Sequence, residues 1–480
     1  MHSIDRAVLI RTAALAALFI HVGFASAAWA ASPDELAGRI DDIRRQHGVA
    51  SASVVLVDRQ GLLVHRTFGV VDLASGRPAD SETRYKVGSI SKAFTGLALL
   101  RAEAKGVLAL DAPLKEGSAG DQYQNPWESQ SPLTLAMLME HTAGWHDMSR
   151  EEFDHPADSP IPLVQALRVR PASRVSKWKP GEFSEYSNSG PGLAGHVLEQ
   201  AAGMPFEAFV EKELFGPLGM STASFLPDAA TLAHLAQGYD RDGRTPIPYW
   251  HILYRPSGGL NVNPRDMARF LRLLIGRGEV DGVRLFDAAQ IARFERPETT
   301  AAARSGLSFG YGLGVHATQH EGHTLYTHGG DGDGYLARFA YSAEAGRGYF
   351  VVITAFNHTP LNAMRALLAD WLVAELDRPE PPAEYQLSER DLSRYTGSYR
   401  AATVRFPRPG WDRKILHVKA RNGRLYTQAE GQRPRALIAV DAKRFRRAEE
   451  TVATTAFSAL GDGSVALQGP LGNWMKGGGE

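Results

Sequence analysis

The chain has 480 residues, with 53 Lys plus Arg against 53 Asp plus Glu and no cysteine. A composition of 44% hydrophobic and 22% charged residues belongs to a folded globular protein and excludes disordered, collagen-like and coiled-coil classes. Charge balance leaves no basic excess to hold a nucleic-acid backbone. The missing cysteine excludes thiol nucleophiles, thiolate metal sites, disulfides and a lipid-modified cysteine anchor.

In chain order, the first 30 residues read as an export signal. Arg6 and Arg11 precede an apolar run from Thr12 to Phe24, and Ala28-Trp29-Ala30 is a small-x-small cleavage pattern. That run is too short to span a bilayer, and no later segment reaches the ~18 apolar residues a span needs. The mature chain is therefore expected to be periplasmic or secreted, with no membrane span. Strands are expected at Ala50–Val57 and Leu63–Val71, then a helix over Ala93–Leu100. A mostly helical lobe runs from about Asp111 to Arg277 and includes a helix from about Gly190 to Ala202. Further strands come from Tyr311 to Phe356. The terminal helix is expected over Leu361–Leu376, with Met364, Leu367, Leu368, Trp371, Leu372 and Leu376 near helical spacing.

Helical and strand patterns mix over 31–377, and the expected arrangement is α+β, with helices on both faces of one antiparallel sheet. Asp377-Arg378-Pro379-Glu380-Pro381-Pro382 disfavours helix and strand alike, so 378–384 reads as a linker. From 385 to 480, five short strands are expected: Ile415–Ala420, Arg424–Gln428, Ala436–Val440, Thr451–Phe457 and Ser464–Gln468. Asn422-Gly423 marks a tight hairpin turn between the first two. The expectation is a small antiparallel barrel or sandwich. From Tyr385 on there are 17 Lys and Arg against 9 Asp and Glu, an excess of 8 positive charges. Such a tail suits an anionic cell-envelope polymer, or equally attraction to the acidic remainder of the chain.

Three constellations carry chemistry. In Ser89-Ile90-Ser91-Lys92, a serine at the first turn of a helix meets unpaired backbone N–H groups and a positive dipole end. Three residues on, Lys92 shares its face. A buried amine there loses basicity and can accept the serine proton. In Tyr186-Ser187-Asn188, a phenol near a lysine can act as base and acid, while the amide can hold both lysine and substrate. In His328-Gly329-Gly330-Asp331, after a strand over His323–Thr327, the glycines let a substrate lie against a strand edge. Taken singly, each also reads as an N-cap, a polar loop or a glycine turn.

Together, in this order, the three motifs resemble the serine β-lactamase and penicillin-binding-protein superfamily, in its class C β-lactamase-like branch. Supporting stretches are Met137-Leu138-Met139-Glu140-His141-Thr142-Ala143-Gly144, Pro256-Ser257-Gly258-Gly259-Leu260 with Asp266-Met267-Ala268-Arg269-Phe270, and Phe309-Gly310-Tyr311-Gly312-Leu313-Gly314. The resemblance covers Ser32 to Leu376, and the tail is similar, less specifically, to lipocalin-like domains appended to this family. It implies Ser89 as acylated nucleophile, Lys92 as its proton partner and Tyr186 as general base and acid. It implies Asn188 as substrate-orienting, His328, Gly329 and Gly330 as the strand-edge motif, and an oxyanion hole from the N–H groups of Ser89 and Asp331. No cofactor or metal is implied.

Where β-lactamases of this branch carry Lys-Thr-Gly, this chain has His-Gly-Gly. A fixed positive charge and a hydroxyl are missing, and charge-assisted hydrogen bonds are the strong ones. The expected activity is therefore an exported carboxylesterase working through an acyl-enzyme, with weak β-lactamase activity as a secondary capacity. The alternatives are a D-amino-acid-specific peptidase or D-Ala-D-Ala carboxypeptidase on cell-wall fragments, a β-lactamase, an acyltransferase, and a non-catalytic envelope-binding protein. Two patterns are set aside. Gly306-Leu307-Ser308-Phe309-Gly310 has the G-x-S-x-G string without its strand-to-helix context. His316, His320, His323 and His328 fall in a glycine-flanked hairpin rather than on a metal-binding helix. His141 and His146 read as structural or pocket-edge residues. Trp145 is a candidate for the acyl pocket or for plain packing.

Overall fold

The first strand, Ser51–Asp58 (β1), is buried along almost its whole length. Alternate residues of a strand point to opposite faces, so it feeds two cores at once. Ala52, Val54 and Leu56 pack with Leu36 and Ile40 of the helix Pro33–Gln46 (α1) and with Leu361, Met364, Leu368 and Trp371 of the last helix of this region. Val55 and Val57 pack on the other face with Phe94, Leu97, Phe270, Leu271 and Leu274. This is a computed structural model, and it describes residues 31–114, 122–153 and 160–477. The expected export signal, residues 1–30, lies outside the described residues. No helix among them is long and apolar enough to cross a membrane.

The sheet adds Leu62–Gly69 (β2), His316–His320 (β3), His323–Gly332 (β4), Tyr335–Ser342 (β5) and Arg347–Ile353 (β6), in the order β2-β1-β6-β5-β4-β3. All its pairings are antiparallel, as expected, with Val54 opposite Val351 and Phe339 opposite Phe350. Ser91–Ala104 (α2) and Pro264–Ile275 (α4) cover one face, and α1 and His358–Val373 (α5) cover the other. The helical lobe lies between α2 and α4 in the chain and holds the buried helix Ser189–Ala202 (α3). One expectation needs correction here. The sequence reading placed Pro264–Ile275 in the lobe, but its apolar face is claimed by the sheet, where Phe270, Leu271 and Leu274 meet Val55 and Phe350.

After an irregular stretch, 377–388, the chain forms a short helix, Glu389–Tyr395 (α6), and a closed antiparallel barrel. Its eight strands are Gly397–Ala401 (β7), Ile415–Arg421 (β8), Arg424–Ala429 (β9), Arg435–Ala439 (β10), Arg444–Arg446 (β11), Thr455–Ala459 (β12), Val465–Gly469 (β13) and Gly472–Lys476 (β14). The Asn422-Gly423 turn is present, with positive φ at both residues, as a two-residue hairpin between right-twisted strands requires. Closure leaves no free edge, and Leu392 and Tyr395 of α6 join the barrel core with Tyr399, Phe445 and Phe457. The expected Thr451–Phe457 strand is shifted to Thr455–Ala459. β7 and β14 escaped the sequence reading because each opens on a glycine, which strands disfavour, and β11 because it has only three residues.

Two helical glycines make opposite predictions. A β-carbon on Gly96, in α2, would sit 1.6 Å from the Leu313 carbonyl oxygen, whereas one on Gly38, in α1, meets nothing within 4 Å. Gly96→Ala is expected to destabilise by about 1–3 kcal/mol through overpacking. Gly38→Ala is expected to stabilise by about 0.5–1 kcal/mol through helix propensity. Urea unfolding midpoints read both signs.

Candidate active site

The strand β4 runs through all of His328-Gly329-Gly330-Asp331, so the third motif lies within the strand and not after it. Its neighbour β3 stops pairing at Thr327. Beyond that point the edge is taken by the turn Val87-Gly88-Ser89. A β-carbon on Gly330 would lie 1.7 Å from Val87 O, and one on Gly88 would lie 3.1 Å from Asp331 N. Gly88 also has φ +51°, a left-handed conformation that favours glycine. Ser89 therefore sits in a 3₁₀ turn, Gly88–Ile90, that leads into α2, not at a simple helix N-cap. Ser91 ties the turn down, its hydroxyl donating to Gly88 O at 2.7 Å and accepting from Leu260 N at 3.0 Å.

Lys92 lies one turn on and is fully buried. Its Nζ is 3.1 Å from Ser89 Oγ, 2.6 Å from Asn188 Oδ1 and 2.7 Å from Ser257 O. Burial holds its amine well below the ordinary lysine value. Tyr186 stands over it, with the ring centre 5.0 Å from Nζ and the phenol under the electrostatic influence of Ser89. Burial pushes that phenol above its ordinary value. Both groups are thus driven toward their neutral forms.

The lobe supplies the second layer. Asn188 precedes α3, where both its main-chain N–H (2.7 Å) and its side-chain amide (3.0 Å to each oxygen) donate to the Asp147 carboxylate. Asp147 also accepts from Met148 N at 2.7 Å and from Arg405 Nε and a second guanidinium nitrogen at 2.8 and 2.7 Å. Arg405 belongs to the segment between β7 and β8, and its Cζ lies 4.4 Å from the Tyr186 ring centre. The carbonyl of Ser257 is positioned because Thr95 Oγ1 donates to Pro256 O at 2.7 Å and the Ser257 hydroxyl donates to Asn188 O.

His328 is buried. Its Nδ1 lies 2.5 Å from Gly329 O, which can only accept, so Nδ1 carries the proton and Nε2 accepts from the Tyr311 hydroxyl. Burial holds its imidazole well below the ordinary histidine value, so the ring is neutral. A β-carbon on Gly329 would meet the Arg338 guanidinium at 2.6 Å. Asp331 turns its carboxylate to Arg338 at 2.6 Å, and its main chain flanks Gly88.

All eight residues named from sequence thus meet at one place: Ser89, Lys92, Tyr186, Asn188, His328, Gly329, Gly330 and Asp331. Four neighbours were missed in that role: Asp147, Ser257, Tyr311 and Arg405. Tyr311 lay in a quoted stretch read as a strand, but it makes only an isolated bridge to His316. Asp147 had one usable signal, an acid six residues beyond His141 in an otherwise apolar and aromatic run. Arg405 had none, because nothing in the order of the chain ties it to Asp147.

Trp145 is buried in the main core, so packing is its role. His141, with φ +61°, stacks on Tyr186 at 4.4 Å and accepts from Ser187 N at 3.2 Å. His146 Nδ1 donates to Val404 O at 2.7 Å. His316 and His320 lie in a strand of the expected hairpin, and His320 and His323 bond separately to Asp370 and Glu344. Ser308 is an exposed loop residue.

Comparison with known proteins agrees with this geometry. Residues 36–373 match the family model Beta-lactamase. Penicillin-binding protein 4* of Bacillus subtilis (strain 168) is 22% identical over 404 residues, covering 80% of this chain and 84% of that protein. Among solved structures, the octameric penicillin-binding protein homologue from Pyrococcus abyssi superposes with a TM-score of 0.57 at 22% identity, covering 92% of this chain and 99% of that one. EstCE1, a hydrolase with promiscuous acyltransferase activity, superposes with a TM-score of 0.59 at 19% identity over 71% of this chain and 98% of that one. The structural likenesses establish the fold. Since the family model takes in the sheet, the lobe and every motif that meets at Ser89, the chain belongs to the beta-lactamase family of serine hydrolases.

Proposed function

We propose that this protein is an exported carboxylesterase that forms an acyl-enzyme on Ser89. The observation that carries the ester preference is the third motif. A neutral, buried His328, locked by Tyr311 and Gly329, stands where a fixed cation would select a substrate carboxylate. The Arg405 guanidinium above Tyr186 is engaged by Asp147. A neutral acyl group therefore loses nothing here, whereas the carboxylate of a penicillin or of a free D-alanine terminus meets no cation on the third motif itself, and the neighbouring Arg338 and Arg405 are engaged by Asp331 and Asp147.

In this reading Lys92 is the first proton acceptor. A neutral amine has two hydrogens and one lone pair. The hydrogens satisfy Asn188 Oδ1 and Ser257 O, and the lone pair faces the Ser89 hydroxyl 3.1 Å away. As the Ser89 oxygen bonds to the acyl carbon, its proton passes to Lys92. The carbonyl oxygen, now negative, is held by the N–H groups of Ser89 and Asp331. Tyr186 gives its proton to the departing alkoxide and regains one from Lys92. Water then attacks the acyl-enzyme by the reverse route, freeing the acid and restoring Ser89. Each oxyanion donor is worth roughly 10²–10³-fold in turnover.

Two outcomes are expected. Turnover of a short p-nitrophenyl ester exceeds that of a chromogenic cephalosporin, and Ser89→Ala lowers it by on the order of 10³-fold or more with folding intact. Cephalosporin turnover in excess would move the assignment to β-lactamase, and release of D-amino acids from peptides in excess would move it to a peptidase. Second, kcat/KM for the ester falls as pH drops through the lowered Lys92 value, because the protonated amine cannot accept from Ser89. A rate flat across that limb, measured in initial-rate assays, would remove Lys92 from the role.

A further inference from the structure

The barrel reaches into the active site. The segment between β7 and β8, residues 402–414, crosses to the lobe. Thr403 Oγ1 donates to Glu185 Oε2 at 2.7 Å, and Val404 O accepts from His146 Nδ1 at 2.7 Å. Arg405 O accepts from Asp147 N at 2.9 Å. These contacts set the Arg405 guanidinium on the carboxylate of Asp147, whose side chain is 0% exposed. On the far side of that carboxylate is Asn188, and beyond Asn188 is Lys92.

We infer that Arg405, carried by the C-terminal barrel, is a positioning residue for the Ser89–Lys92–Tyr186 centre, acting through Asp147 and Asn188. The inference rests on the acyl-enzyme reading above. Its logic is the handedness of an amide. Asn188 can face Lys92 with either its oxygen or its nitrogen. Asp147 accepts from the amide nitrogen on both oxygens, so the amide oxygen must face Lys92. That orientation takes a hydrogen from Lys92 and directs the lone pair to Ser89. A buried carboxylate in turn needs its own cation, and Arg405 supplies it with two nitrogens. The same guanidinium lies over the Tyr186 ring.

Domain docking alone does not require this arrangement. The interface has other fasteners. Gln468 of the barrel accepts from Ala302 N at 2.8 Å and donates to Glu182 O at 3.0 Å, and Asn473 donates to Ser184 O at 2.7 Å. Trp178, Phe183 and Ala301 pack against Leu460 and Ala466.

The charged and titratable groups around Lys92 predict a signature that docking would not produce. Asp147 favours its protonated form, and Arg405 opposes it. His141 and His328 are neutral, held down by burial, and Tyr186 and Tyr311 are neutral phenols, held up by burial. Asp331 faces Tyr186 but is paired with Arg338. Removing Arg405 therefore raises the Lys92 value, and removing the charge of Asp147 lowers it.

The test is the pH dependence of Ser89 labelling by a fluorophosphonate, followed by intact mass in the full chain. This needs only a nucleophilic serine, whatever the natural substrate. Arg405→Gln is expected to move the acid limb of the labelling rate up by about one pH unit and to slow labelling at neutral pH. Arg405→Lys is expected to restore part of the limb, and Asp147→Asn to move it the opposite way. Urea midpoints confirm that each variant is folded, and Arg405→Lys carries the test if Arg405→Gln is not. Wild-type limbs in folded variants, or shifts of the same sign for Arg405→Gln and Asp147→Asn, would overturn the inference and leave the acyl-enzyme reading standing. Wild-type protein that fails to label at Ser89 would overturn both.

Discussion

A lysine amine sealed from water is the constraint around which the site is built. Lys92 has no solvent to hydrate a charge; it bonds directly to oxygens of Ser89, Asn188 and Ser257, and the Asp147 carboxylate behind Asn188 favours its charged form without outweighing burial. An unpaired buried ammonium is costly enough that such a group gives up its proton instead. The consequence is an amine held toward its neutral form beside a serine hydroxyl, which is the state the proposed acyl-enzyme chemistry needs. Every one of the three oxygens comes from a different part of the chain, so the fold as a whole holds the lysine in this state.

The sheet and the lobe, joined by one core, deliver those parts. The sheet brings the edge of β4 against the Ser89 turn, and the approach is close because Gly88 and Gly330 have no β-carbons to hold the chains apart. The lobe brings Tyr186 and Asn188 on the entry to α3, and that helix packs against the lobe with similar closeness at Gly190, where a β-carbon would lie 2.4 Å from Leu138 O. Small residues at both contacts let the Ser89 turn, the edge of β4 and the entry to α3 approach closely, the placement a preorganised site needs.

The barrel adds a third body. Its insertion of Arg405 beside Tyr186 means that electrostatics around Ser89, Lys92 and Tyr186 are shared between two regions of the chain. The basic excess of the tail finds little outlet in that contact. Arg405 with Asp147 is a direct ion pair between barrel and lobe, whereas Arg424 pairs with Glu384, Arg435 with Glu449 and Arg444 with Asp441, all within the tail or the stretch leading into it. Hydrogen bonds donated by Gln468 and Asn473 and an apolar patch around Trp178 also hold the interface.

What the sequence determined by itself was local or ordered along the chain. Ser89 and Lys92 are three residues apart, so helix geometry alone puts them on one face. A short apolar run rich in valine from Ala50 to Val57 announces a strand, and Asn422-Gly423 announces a hairpin. The order of three motifs carried the family resemblance and with it the α+β fold. Only the tertiary structure decided the rest. That Pro264–Ile275 belongs to the sheet depends on which apolar faces compete for it, and periodicity does not name the partner. That His328 is neutral depends on burial and on the Tyr311 hydroxyl, and a one-letter code carries neither. That Arg405 meets Asp147 depends on how a closed barrel docks 258 positions away along the chain. Hydrogen bonds and ion pairs act over a few ångströms in space and are indifferent to distance in sequence, so residues brought together by packing alone leave no spacing to be read.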